Sequence, residues 1–137
     1  MPVNEIEKRV RGAGLRPTRQ RIALAGLLFC KGNLHVCAEA LHEKALDAGV
    51  RVSLATVYNT LHQFTRAGLL RAFTVEGSKT WFDTNVSNHC HFFIEDEDRI
   101  LDIDLGGDWE NQLPEPPEGM EIVGFDFVVR LRPKPLS

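Results

Sequence analysis

The sequence predicts an α+β protein: an N-terminal winged helix-turn-helix domain over residues 1–83, a hinge at 84–88, and a small α/β dimerisation domain over 89–137. Three observations carry that prediction. Ser53 to Leu70 (SLATVYNTLHQFTRAGLL) reads as a capped amphipathic helix. A two-stranded hairpin follows it at once. The charge also reverses along the chain. Up to Phe82 there are twelve Lys/Arg against six Asp/Glu, and from Asp83 onward four against thirteen; the resulting +6 and −9 make up the formal net charge of −3. A basic half suits a polyanion, and an acidic half avoids one.

Asn4 to Arg11 is a short charged amphipathic helix, stopped by Gly12 and Gly14. Thr18 caps a second helix running to about Cys30, with Ile22, Leu24, Leu27, Leu28 and Phe29 as its core face. Arg16, Arg19 and Arg21 crowd the start of that helix, where positive charge opposes the helix dipole. Phosphate contact is a benefit that would offset this; plain solvation is the alternative. Lys31-Gly32-Asn33 breaks the chain. A third helix from about Cys37 to Ala48 then turns Ala38, Leu41, Ala45 and Leu46 inward, with Cys30 and Cys37 as small core residues.

Ser53 caps the fourth helix, and Leu54, Val57, Tyr58, Leu61 and Phe64 form its apolar stripe. Gly68 closes it. An ordinary surface helix would show the same stripe, but the elements on either side favour the second helix of a helix-turn-helix. In a DNA major groove, the hydroxyl, amide and aromatic groups of Ser53, Thr56, Tyr58 and Asn59 could reach base edges or thymine methyls. Leu69–Thr74 and Lys79–Asp83 are the wing strands around the turn Glu76-Gly77-Ser78, with Arg71 and Lys79 placed for phosphates.

Beyond Asp83 the texture changes. Thr84 to Asn88 is polar and turn-like. His91–Ile94 and Arg99–Ile103 pair around the acidic tip Glu95–Asp98. Trp109 to Leu113 allows one helical turn before the prolines, and Glu121 to Leu131 reads as a strand. Three strands in so few residues bury little alone, so a second copy of the same sheet is the expected cover.

His89 and His91 flank Cys90, so in a strand both imidazoles share one face and the thiol takes the other. Asp83, His35 (expected to open the third helix) and Asp102, across the hairpin from His91, add donors. Three imidazoles and two carboxylates suit Fe²⁺ or Mn²⁺, with Zn²⁺ able to substitute. Three cysteines with no Cys-x-x-Cys pair predict neither a structural disulfide nor a cysteine-built structural zinc site. No run is long enough to span a bilayer and no leader is present, so the expectation is a cytoplasmic protein with no membrane partner.

LATVYNTLHQF followed by AGLL closely resembles the ferric uptake regulator (Fur) family of bacterial metal-dependent transcription factors. GLRPTRQR at 14–21, HVCAEALH at 35–42, the hairpin, NHCHFF at 88–93 and LPEPPEGMEI at 113–122 extend the match, and the whole chain looks most like the iron response regulator (Irr) branch. The resemblance implies a repressor that binds a palindromic double-stranded operator as a homodimer or higher oligomer. It also implies a regulatory metal on His35, Asp83, His89 and His91. An aspartate at the hinge and a second at Asp102 look most like the peroxide-sensing (PerR) branch. The Irr likeness further implies haem, for which His89, Cys90 and His91 are the candidate ligands. Most members carry Cys-x-x-Cys where this chain has Phe93-Ile94-Glu95-Asp96, and Irr proteins share that lack. The competing class is a small metalloenzyme, but no general acid or nucleophile accompanies the histidines. A peroxide-responsive regulator is the alternative within the family.

Overall fold

The structure, a computed structural model, describes residues 3–30, 32, 34–75, 79–87, 90–103, 112–125 and 127–136. The chain divides into two compact units, residues 1–86 and 87–137. No described helix is long and apolar enough to cross a membrane.

The first unit is a helical layer closed by a small sheet. α1 (Val3–Gly12) buries Ile6 and Val10, one turn apart. Thr18 caps α2 (Arg19–Leu28), its hydroxyl accepting the Arg21 N–H at 3.2 Å. α3 (Ala38–Asp47) and α4 (Leu54–Arg66) form the helix-turn-helix pair. Ser53 Oγ accepts the Thr56 N–H at 3.0 Å, which satisfies one of the first-turn amides a helix leaves open. At the far end Gly68 adopts φ +84°, with Gly68 N–H donating to Thr65 O and Leu69 N–H to Phe64 O. Gly49 closes α3 in the same way, and only glycine takes that conformation without steric cost.

β1 (His35–Val36), β2 (Arg71–Thr74) and β3 (Thr80–Asp83) form a sheet in the order β1-β3-β2, both pairs antiparallel. Leu24, Leu28, Leu41, Val57, Leu61, Phe64 and Phe82 are the centre of one continuous core. Several expectations are corrected here. His35 does not open a helix; it lies in β1, because Val36 is drawn into the core beside Phe82 and extends the chain. Leu46 is exposed, since Ala45 already occupies the packed position one residue earlier. Leu54 is exposed at the first position of α4, and Tyr58 leaves the stripe to stand 47% exposed. Cys30 is exposed, not core, while Cys37 is buried.

The second unit is a three-stranded sheet in the order β5-β4-β6, from β4 (Cys90–Ile94), β5 (Arg99–Ile103) and β6 (Phe127–Leu131). β4 pairs antiparallel with β5 and parallel with β6. The last strand starts later than Glu121, because β4 has only five residues and its ladder with β6 runs from Cys90–Phe127 to Ile94–Leu131. The acidic tip turns through Asp98 at φ +48°. The helical turn expected near Trp109 falls largely on residues 104–111, and the wing turn at 76–78, both outside the described residues.

Candidate functional site

In the first unit, β1 and β3 set His35 directly opposite Asp83. His35 Nε2 stands 3.2 Å from Asp83 Oδ2, and the other carboxylate oxygen accepts the Asn85 N–H at 2.8 Å. The flanking residues hold this register. Leu34 N–H donates to Thr84 Oγ1 at 2.9 Å, and Thr84 N–H donates to Leu34 O at 3.1 Å. Asp83 is fully buried, an expensive place for a carboxylate unless charge or hydrogen bonds compensate it.

In the second unit, the β4–β5 register pairs His91 with Asp102 as the hairpin reading anticipated, and Nε2 lies 3.4 Å from Oδ1. His91 is buried, at 1% exposure. Each unit thus presents one imidazole–carboxylate pair. Nitrogen and oxygen donors of this kind suit Fe²⁺, Mn²⁺ or Zn²⁺, and each pair alone offers fewer donors than such an ion takes. His89, the fifth expected donor, lies outside the described residues.

Haem fits less well. Cys90 is buried on β4, and burial pushes its thiol above the usual range, which disfavours the thiolate that haem iron would take. His91 is turned to Asp102. Neither described candidate is a free axial ligand.

Arg16 and Arg19 are exposed before and at the start of α2, and Tyr58 and Asn59 are exposed on α4. Ser53 is exposed at the cap, and its hydroxyl also donates to Thr56 Oγ1 at 2.9 Å. Arg21 is more engaged than its sequence suggests. Its Nε and Nη2 donate to Gln63 Oε1 at 3.3 and 3.0 Å, and its Nη1 donates to the Arg16 carbonyl at 2.9 Å. A polar cleft of about 320 Å³ results between α2 and α4, lined by Thr18, Gln20, Arg21, Thr56, Asn59 and Gln63. Sequence reasoning missed Gln63 as Arg21's acceptor, since the two lie far apart in the chain. On the wing, Lys79 precedes β3 with its ammonium over the Trp81 ring. Arg71 sits at the base of the hairpin, opposite Asp83, not at its tip.

The class defined by these features is a winged helix-turn-helix protein with a separate β-sheet unit and an imidazole–carboxylate pair in each. A family model described as the ferric uptake regulator family matches residues 12–123. The chain belongs to that family. It is 35% identical over 91 residues to the ferric uptake regulation protein of Escherichia coli (strain K12), a match covering 66% of this chain and 62% of that protein. The chain thus spans less than two thirds of the length of such relatives. The Vibrio parahaemolyticus protein of the same description is 33% identical over 101 residues, 68% of each chain. Among solved structures, the ferric uptake regulator of Pseudomonas aeruginosa with manganese superposes with a TM-score of 0.73 at 28% identity, covering 98% of this chain and 100% of that one. The Vibrio cholerae regulator gives 0.74 at 24% identity, covering 92% and 98%, and speaks for the fold alone.

Proposed function

We propose that this chain is an iron-responsive, DNA-binding transcription regulator that acts in the cytoplasm as a homodimer on a palindromic operator. The observation that carries this reading is α4: Val57, Thr60, Leu61 and Phe64 are buried behind it, while Tyr58 and Asn59 stand outward beside a wing. That is the arrangement a reader helix needs for the major groove. Tyr58, Asn59, Thr56 and Ser53 face the bases or the groove edge, and Arg16, Arg19 and Lys79 take phosphates. Arg71 adds positive charge at the base of the hairpin, and Arg21 acts as a brace between α2 and α4.

Dimerisation is supported by the last strand. Phe127 and Val129 are 43% and 45% exposed on β6, Val123 before it is 93% exposed, and the sheet has only three described strands. Apolar area of that kind on so small a sheet favours a second copy. Two reader helices related by a two-fold axis would then require a palindromic site.

His35 and Asp83, with His89, His91 and Asp102, would hold one divalent ion. When bound, the ion supplies a cross-link between donors from the two units. The chain's own part is to set those donors facing one another within each unit: His35 against Asp83, His91 against Asp102. The stretch 84–88 then acts as the hinge whose angle sets the spacing of the two reader helices. Within the family, the lack of a Cys-x-x-Cys after β4 supports the Irr branch. Aspartates at 83 and 102 support a second reading, a peroxide-responsive regulator. Haem, which the Irr likeness implies, is disfavoured by the raised Cys90 thiol and by the pairing of His91 with Asp102.

A gel-shift titration on a duplex selected from a random pool tests the reading. Binding to that duplex with Mn²⁺ should differ from binding after chelation. Equal affinity for selected and scrambled duplexes in both states would overturn it.

A further inference from the structure

His62, which the sequence left without a role, occupies an unusual place. It follows Tyr58 by four residues, so both side chains lie on one face of α4. Its ring meets Tyr58 edge-on, with centroids 4.4 Å apart and an interplanar angle of 62°. On its other side it meets Phe82, at 5.3 Å and 86°. Phe82 is fully buried in β3, the middle strand of its sheet, where it pairs with Val36 on one side and Ala72 on the other. Three rings therefore run as a column from the core of the winged unit out to the exposed tyrosine.

An imidazole is an awkward choice for the middle of such a column. Its Nε2 is buried and has no hydrogen-bond partner among the described residues. A leucine would fill the space without that cost. What leucine cannot supply is an edge-to-face ring contact with each of two neighbouring rings, the geometry that aromatic pairs prefer. The beneficiary is Tyr58. A side chain that is 47% exposed on a helix would otherwise move between rotamers, and each base contact would have to bear the ordering entropy.

We propose that His62 is a positioning residue: wedged between Phe82 and Tyr58, it fixes the Tyr58 ring for contact with a base and so sets sequence preference without touching DNA itself. This rests on the reading of α4 as the DNA-reading helix.

Tyr58 is the chain's single tyrosine, so 3-fluorotyrosine labelling gives one ¹⁹F resonance that reports the ring directly. The test compares wild type, His62→Leu and His62→Phe in the full chain with saturating Mn²⁺ for binding and without metal for NMR. In the wild type the resonance should stand away from its position in denatured protein. His62→Leu should move it towards that position, and should lower the ratio of affinity for a pool-selected duplex over a scrambled one by roughly tenfold, the scale of one lost base contact. His62→Phe, which keeps a ring edge, should preserve both. A His62→Leu protein that keeps the specificity ratio overturns the proposal, as does a His62→Phe protein that loses it while folding normally by circular dichroism. If the wild type itself selects no sequence, the reading of α4 fails before any substitution, and the proposal fails with it.

Discussion

His35 Nε2 lies 3.2 Å from Asp83 Oδ2 across the β1–β3 ladder, so the last residue of the wing is tied to a two-residue strand that precedes the helix-turn-helix. This places two of the five proposed metal donors on the same small sheet of the winged unit. Ligating imidazoles and carboxylates must give up their protons, so Mn²⁺ affinity should fall steadily as pH is lowered. Calorimetric titrations across a pH series check this; a flat profile would show that these groups are not the ligands.

The arginines at the start of α2 should separate in the salt dependence of DNA binding. Arg16 is exposed, and Arg16→Ala should weaken binding to all sequences and reduce the salt slope by about one. Arg21 spends its guanidinium on Gln63 and the Arg16 carbonyl, so Arg21→Met should lower affinity with the slope nearly unchanged. Fluorescence anisotropy at several salt concentrations distinguishes the two.

The three thiols should react in a fixed order. Cys30 is exposed, whereas Cys37 and Cys90 are buried, so one equivalent of a thiol reagent should label Cys30 first in native protein. Mass spectrometry of the digest reads the order. Burial also pushes the Cys90 thiol up, so the folded state holds that proton more tightly than the unfolded chain. The stability this contributes is fully present below the unfolded value and is lost as pH rises through the folded one. Cys90→Ala should therefore flatten the alkaline side of a stability profile followed by urea unfolding.

The assembly should not need zinc. With Phe127 and Val129 exposed on β6, sedimentation after exhaustive chelation should give a dimer, and Phe127→Asp with Val129→Asp should give a monomer. A wild-type monomer under those conditions would remove the basis for a two-fold operator.

What the sequence made legible was mostly local. Ser53, the 3.6-residue stripe and Gly68 lie within one short stretch, so α4 could be read with both its ends. The same holds for His91 and Asp102: a tight hairpin sets its own register, and β5 starts and stops where its apolar run does. β1 could not be read, because two residues have no periodicity and the strand exists only through pairing with β3 far along the chain. The Arg21–Gln63 contact and the Tyr58–His62–Phe82 column were hidden for the same reason, as each joins elements whose packing no local pattern specifies. Leu46 and Leu54 satisfy a helical pattern yet lie exposed at helix ends, where the stripe runs past the core.

His35, Asp83, His89, His91 and Asp102 are proposed to serve one ion. Calorimetric titration of Mn²⁺ into the wild type and into single variants tests it most directly. One ion should bind per chain, His35→Ala and His91→Ala should each abolish that binding, and Asp102→Ala should weaken it with four donors remaining. Full affinity in His91→Ala, or two ions per chain of which each variant removes only one, would contradict the account.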